Sequence, residues 1–486
     1  MQVAVVGAGF SGLMSAFLLE KILGPDIDIV IFESSGRLGG RICTLELGGP
    51  DSYYDSGAAE LYEIAGGYSL KALVHALGLQ TRDMVATPFF HFADALLRCE
   101  DDFQAVLGTP ARAALTRFWE LLTSMRTPDQ YALAGHPADN CHPWSRQSFS
   151  ETLRLIEDAQ ARHFTEVQVH SDVSTEPDLT TGLFGVDNLL VDHPDYVQMF
   201  TLVGGNEQLV HALAERISAR VLLNAHVTQI CAQRGGSYEV TYTGELTRRF
   251  HADYILVTPP PLSLDTICWT PTPLESAIRA HIRHHRYPAD YVRVTLRTTE
   301  RVWADELPED YFVCQGLGGT TVYEKSILSD SQEIPILSLL IGGRHATELA
   351  HRPDGEVFHR VLQALPDEAH IDRNLVSTFR VDRWTNEVGV SRLPGGVPLR
   401  PLAKRHAPSA DYPNVFMLGD YLYDTTINGA LDACVFVTKS ICENVMGRKV
   451  DSIEELLEGD GFLHTATRNG EPRRRPGRNL PFLARQ

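Results

Sequence analysis

Three glycines near the amino terminus, Gly7, Gly9 and Gly12, stand in the spacing GAGFSG directly after the apolar run Val3 to Val6. They open a helix-period segment through Leu13, Phe17 and Leu18. Strand, tight turn and helix in that order make an anion site. Gly7 turns the chain, Gly9 admits a pyrophosphate to the backbone amides, and Gly12 lets the helix pack close on the strand. Phosphates then meet the helix N-terminus at Phe10 and Ser11, where unpaired N–H groups and the macrodipole stabilise anions without a lysine. A second apolar run, Ile29 to Phe32, delivers Glu33 at about the spacing dinucleotide folds use to hold a ribose. A carboxylate there disfavours a 2′-phosphate, which argues against NADP.

These residues require a βαβ unit to position them, its helix ended by Gly24-Pro25. Directly after Glu33 comes Ser34-Ser35-Gly36-Arg37-Leu38-Gly39-Gly40-Arg41, and then Asp55-Ser56-Gly57-Ala58. Together these motifs resemble the flavin-dependent amine oxidase superfamily, which includes monoamine, polyamine and L-amino acid oxidases. The resemblance implies FAD, expected to be noncovalent because Glu387 to Pro394, where monoamine oxidases attach it, holds no cysteine, with Ser34, Arg37, Gly40 and Arg41 beside the acidic residue and the phosphates, and Gly57 and Ala58 close to the isoalloxazine. It also implies an α/β fold, a Rossmann-like FAD-binding domain with an inserted α+β substrate-binding domain.

Composition limits the alternatives. A chain of 486 residues exceeds one ordinary core, so two domains are expected. The formal charge of -19 disfavours nucleic acid. No apolar run approaches the roughly 20 residues of a membrane span, and the first strand begins almost at Met1, so a cytoplasmic location is expected. Eight cysteines are scattered without a CxxC pair, which points to reduced, mostly packed thiols; Cys43, close to Arg41, is the one to watch. His281 and His285 are four apart, yet Ile-Arg-His separates them rather than a metalloprotease motif, so a solvated helix face is expected and no metal site.

Along the chain, residues 1–61, 198–262 and 401–450 are assigned to the FAD-binding domain, and 62–197 with 263–400 to the substrate domain. Segments 68–77, 109–126 and 147–162 read as helices, and 136–144 as loop. Tyr238 to Thr243 and Thr247 to His251 read as a hairpin. The runs at Tyr291, Tyr311 and Ile334 read as strands of one antiparallel sheet flooring the substrate cavity. By resemblance Val227 lies beside the adenine and Thr258 ends the strand that crosses between domains. Gly419-Asp420 ends a buried strand that holds the ribityl and phosphate region, and Thr426, Ile427 and Ala430 begin a helix aimed at the flavin. Residues 451–486 form an extension whose end holds five arginines and one glutamate, expected to be a mobile tail.

The family chemistry is hydride transfer from a carbon next to nitrogen to the flavin N5, with O2 as the expected acceptor, hydrogen peroxide as by-product and a small amine-bearing molecule as substrate. Three departures narrow it. Aligned on Val302-Trp303, Arg293 takes the place of the lysine that holds water against the flavin, which brings rapid reaction with oxygen into question. Gly389 and Thr426 stand where monoamine oxidases place two aromatic rings, leaving Trp384, Tyr421 or Tyr423 to substitute. Glu60 stands where L-amino acid oxidases carry an arginine for the substrate carboxylate, and a carboxylate there suits an ammonium. Equally, Glu60 could join a helix-start network with Glu63. Arg293 and Glu60 are therefore the candidate catalytic residues. A desaturase or dehydrogenase acting on C–C bonds, a flavin-dependent isomerase and a noncatalytic flavin scaffold are the alternatives. The oligomeric state is open, a homodimer included.

Overall fold

Strand β1 (Gln2–Val6), helix α1 (Phe10–Leu23) and strand β2 (Asp28–Phe32) open the chain. Strands β3 (Arg220–Leu222), β4 (Tyr254–Val257) and β5 (Val415–Met417) return to them from far along the sequence. The five form one sheet, ordered β3-β2-β1-β4-β5, in which every pair is parallel. A parallel sheet is covered on both faces, which is why its strands are uninterrupted apolar runs. Val3, Val5, Ile29 and Ile31 face α1 and helix α2 (Ile427–Met446), whereas Ala4, Val6, Val30 and Phe32 face Tyr238, Val240 and Trp269. The second group belongs to an adjoining four-stranded sheet built around the hairpin Tyr238–Thr243 and Thr247–Ala252. Because α1 is packed between the sheet and α2, residues Phe10 to Leu19 are all buried.

A second large sheet has seven strands, in the order Val376–Trp384, Tyr291–Thr298, Ile336–Gly342, Thr320–Glu324, Tyr311–Cys314, Phe89–Phe92 and Ala95–Leu97. Helices Glu100–Met125, Ala159–Val173 and Gly182–Leu190 pack into one hydrophobic cluster with Tyr311, Val313 and Tyr323. Helices Gly343–Ala350 and Asp354–Gln363 share another with Val292, Val322 and Leu339. The computed structural model describes the chain except at residues 50–51, 85–88, 136–138, 140, 286–287, 302–310, 326, 330–331, 367–370, 386–389, 392–401, 458–462 and 465–486. Gly389, the Val302-Trp303 pair and the arginine-rich tail lie outside the described residues.

Several sequence expectations need correcting. The region 62–197 holds strands that its sequence did not signal: Leu61–Ile64 pairs with Val197–Leu202, and Phe89–Phe92 joins the seven-stranded sheet. That last strand runs parallel to Tyr311–Cys314, so the sheet is not wholly antiparallel. The helix expected from residue 109 starts at Glu100, kinks at Gly108 (φ +72°) and absorbs Pro110. His281 and His285 are buried, not solvated. Their helix, Thr272–His285, buries the stripe Leu274, Ile278, His281, Ile282 and His285, and a histidine can join an apolar stripe when its ring nitrogen is satisfied. His281 Nε2 lies 3.0 Å from the Tyr421 hydroxyl.

Candidate active site

A cavity of about 610 Å³ runs from the carboxyl ends of β1 and β4 to the seven-stranded sheet, touching Val6 and Thr258 at one side and Arg293, Tyr323 and Leu340 at the other. Its first end is built from two glycine loops. Gly7 turns with φ +98°, and Gly39 N donates to Ala8 O at 2.9 Å, joining the loop before α1 to Gly36–Arg41. A Cβ on Gly12 would overlap the Gly7 carbonyl oxygen, so this glycine sets how closely α1 seats on β1. Glu33 receives the Ala8 N–H at 2.9 Å and the Ser35 N–H at 2.8 Å, which fixes its carboxylate at the mouth of the turn. Arg37 bends back to donate to the carbonyls of Leu38 and Gly40 at 2.9 and 2.6 Å and braces its own loop.

In the middle, Arg41 and Asp420 form a two-point ion pair, Nη1 to Oδ2 at 2.8 Å and Nη2 to Oδ1 at 2.5 Å. Burial alone would lower the Arg41 pKa; the Asp420 carboxylate outweighs it, so the guanidinium stays charged. The turn Asp55–Ala58 is clamped from three sides. Ala58 N donates to Arg41 O at 3.1 Å, Asn206 Nδ2 to Ala58 O at 2.9 Å, and Asn206 N to Asp55 Oδ1 at 2.9 Å. A Cβ on Gly57 would overlap Arg41 O. Thr426 caps α2, its hydroxyl accepting from Asn428 N at 3.1 Å and Gly429 N at 3.3 Å. The positive end of that helix thus faces the cavity.

At the far end, Arg293 is 3% exposed. Its Nη1 donates to Ser338 Oγ at 3.2 Å, its guanidinium lies 5.2 Å from the Tyr323 ring centre, and its Nε is buried without a hydrogen-bond partner. Glu60 accepts from the Tyr62 hydroxyl at 2.8 Å. Burial first, and the Glu60 charge next, hold the Tyr62 and Tyr323 hydroxyls well above the ordinary tyrosine range, so both remain donors. Glu63 is engaged elsewhere, by Ser69 Oγ at 2.6 Å and Lys71 N at 3.0 Å, which separates it from Glu60.

Of the residues expected at the site, Gly7, Gly9, Phe10, Ser11, Glu33, Ser34, Arg37, Gly40, Arg41, Gly57, Ala58, Glu60, Val227, Thr258, Arg293, Asp420, Thr426, Ile427 and Ala430 all line this one cavity. Gly12 and Gly419 are absent from its lining; Gly12 sets helix packing, and Gly419 turns the chain at φ +143° against the Tyr421 ring. Cys43 is buried and burial pushes its thiol up, so it is a packed thiol. Trp384, Tyr421 and Tyr423 reach the cavity, with Trp384 Nε1 donating to Ser56 O at 2.7 Å. Asp172, Asp187, Asp424 and Tyr131 also line it and were not anticipated. They come from helices and loops whose spacing signals only an apolar face. A glycine trough, two helix N-termini, a ribose-range carboxylate and an orphaned buried guanidinium nitrogen together fit a flavin dinucleotide.

The profile of the flavin containing amine oxidoreductase family matches residues 10–435. The chain belongs to that family. As a flavin amine oxidoreductase it is an FAD-dependent enzyme. It is 23% identical over 474 residues to the flavin-dependent L-tryptophan oxidase RebO of Lentzea aerocolonigenes, covering 90% of this chain and 98% of that one. It is 26% identical over 279 residues to the Mycobacterium tuberculosis protein AofH, named as a flavin-containing monoamine oxidase, and the match spans 57% of that relative's length. Its fold matches cyclohexylamine oxidase from Brevibacterium oxydans at a TM-score of 0.68 and 20% identity, over 92% of this chain and 99% of the other. Putrescine oxidase bound to putrescine matches at a TM-score of 0.70 and 16% identity, over 91% and 99%. No described helix of this amine oxidoreductase is long and apolar enough to cross a membrane.

Proposed function

We propose that this enzyme oxidises a C–N bond of a small amine to an imine and passes the electrons to O2. The observation that carries the reading is the half-buried carboxylate Glu60, held by a tyrosine hydroxyl in the same cavity as the glycine loops and Arg293. When bound, FAD supplies the hydride acceptor, N5, for the carbon next to the substrate nitrogen. The proposed division of labour gives residues 1–61, 198–262 and 401–450 to the cofactor and 62–197 with 263–400 to the substrate. Gly9, Phe10, Ser11, Gly40 and Arg41 would hold the pyrophosphate, Glu33 the ribose, Val227 the adenine, and Asp420 the ribityl chain without a covalent bond. A cytoplasmic setting suits eight cysteines that are all free.

The chain's own residues then divide the remaining work. Glu60 attracts the ammonium form and can take up a proton as the amine becomes neutral. Arg293, fixed and charged, disfavours an ammonium beside it, so the neutral amine is the species that fits there. Tyr291 and Trp384 wall the site, and the Trp384 bond to Ser56 O keeps its ring in place. This is an orienting and water-excluding role.

The direct test is an anaerobic titration of the yellow protein with amines, amino acids and their neutral analogues. Bleaching of the visible flavin band by an amine, with stoichiometric peroxide on admitting air, is the expected result. Turnover only with an artificial acceptor would favour the dehydrogenase reading, which the arginine at position 293 supports. The variant Glu60→Gln should keep its flavin spectrum and raise the amine KM about tenfold, since the substrate ammonium loses its counter-charge in the cavity. An unchanged KM would remove Glu60 from the site.

A further inference from the structure

Arg293 is a buried cation whose own contacts are neutral. Among the described residues its guanidinium meets Ser338 Oγ at 3.2 Å, Gly57 O at 3.5 Å and the face of the Tyr323 ring. A buried charge in such company needs an opposite charge close by. The strand pairing supplies one. Where Tyr291–Thr298 runs antiparallel to Val376–Trp384, Arg293 stands directly opposite Asp382, and side chains so placed share a face with Cβ atoms roughly 5 Å apart. Burial holds the Asp382 carboxyl above the ordinary aspartate range, opposed by the Tyr54 hydrogen bond and by the charges of Arg293 and Arg380. The buried Tyr54 hydroxyl donates to Asp382 Oδ2 at 2.7 Å, and burial keeps that hydroxyl protonated. Two residues along the same strand face, Trp384 Nε1 donates to Ser56 O at 2.7 Å. Residues 54–57 are therefore tied to this sheet at two points, and their last carbonyl faces Arg293. Neither Asp382 nor Tyr54 lines the cavity, whereas Arg293 does.

We propose that Asp382, anchored by Tyr54, is a positioning residue for Arg293: it holds the guanidinium on the sheet and so sets the cavity against carboxylates. Without it, a long side chain carries an uncompensated charge at the edge of open space. The first anion to enter then becomes its partner, because a guanidinium takes a carboxylate through two parallel hydrogen bonds. A charge outside the cavity thereby tells an amine from the amino acid that differs from it by one carboxylate. That selectivity rests on the amine oxidation proposed above; the hold on Arg293 does not.

The test uses benzoate, an anion with no amine to oxidise, on the oxidised holoenzyme, and follows binding by the perturbed visible flavin band and by thermal shift. Asp382→Asn keeps an acceptor for Tyr54 and removes the charge. It should bind benzoate about tenfold or more tighter than wild type. Asp382→Glu should return most of the way to wild type, and adding Arg293→Gln to Asp382→Asn should abolish the gain. No gain in Asp382→Asn, or a gain that survives loss of the guanidinium, would overturn the proposal. Tyr54→Phe removes only the anchor and should tighten benzoate about threefold, the worth of one hydrogen bond; if Asp382→Asn does not fold, an unchanged affinity in Tyr54→Phe overturns the proposal in its place. Turnover supplies the second readout, from an amine that bleaches wild type and the amino acid bearing the same side chain. In Asp382→Asn the kcat/KM of the amino acid relative to the amine should rise about tenfold, through KM rather than kcat, and an unchanged ratio would overturn the selectivity. If no amine bleaches the flavin while benzoate follows this pattern, the hold on Arg293 stands and the oxidation reading falls. If amines are oxidised and benzoate is indifferent to residue 382, the oxidation reading stands and the hold falls.

Discussion

Gly12→Ala is expected to purify colourless. The added methyl would overlap the Gly7 carbonyl oxygen and stand 3.2 Å from Val5 Cγ1, so α1 must withdraw from β1. Its first N–H groups, at Phe10 and Ser11, then retreat from the phosphates they are placed to bind. The added carbon would lie far inside ordinary contact with the Gly7 oxygen, so the helix must shift by roughly an ångström, which takes several charge-assisted hydrogen bonds out of range together. The FAD dissociation constant should rise on the order of a hundredfold, equivalent to about 2.7 kcal/mol. The ratio of visible to ultraviolet absorbance after gel filtration, and titration of the apoprotein with FAD, read the effect. Gly355→Ala is the control, because a Cβ at that helical glycine meets nothing within 4 Å and that variant should stay yellow. A yellow Gly12→Ala protein with unchanged affinity would refute the role given to the glycine turn.

The second large effect concerns stability. Arg126 is 1% exposed and grips Asp187 through Nε and Nη2, both at 2.8 Å, and Asp139 through Nη1 at 2.7 Å. Arg126→Met leaves two buried carboxylates without a cation and should cost about 3–5 kcal/mol near neutral pH. Burial pushes Asp187 up to about 6 even with the guanidinium present, and its removal raises it further. A carboxyl raised in the folded state contributes stability that is fully present below its unfolded value and is lost as pH rises through its folded value. The deficit of the variant should therefore be largest above pH 6 and narrow as pH falls towards the ordinary aspartate value. Denaturant midpoints across that range provide the measurement, and Asp187→Asn added to Arg126→Met should recover part of the loss. A deficit that does not change with pH would contradict the burial argument.

The two halves of the cavity were unequally legible in sequence. Gly7, Glu33, Arg41 and Gly57 act through backbone approach or at fixed short spacings, so local order alone reveals them. The contact of Arg41 with Asp420 spans 379 positions, and spacing shows neither its distance nor its two-point geometry. The substrate side follows another logic. Asp172 and Asp187 sit in helices whose pattern records only which face is buried, and Asp424 precedes a helix cap that any short polar residue could serve. His281 and His285 read as solvated because a histidine counts as polar until a partner such as Tyr421 is known. Phe89–Phe92 escaped notice because four residues carry too little alternation to separate strand from helix.

The strand order of the parallel sheet has a consequence for biosynthesis. β1 and Arg41 leave the ribosome first, whereas β5 and Asp420, which finish the same site, are translated 379 residues after Arg41. At usual elongation rates that interval lasts roughly 20–80 s. Throughout it the guanidinium has no counter-ion and the sheet lacks an edge strand. The flavin site is therefore complete only once Asp420 has been made, and a nascent chain stalled before Val415 would expose an unfinished site to chaperones and proteases.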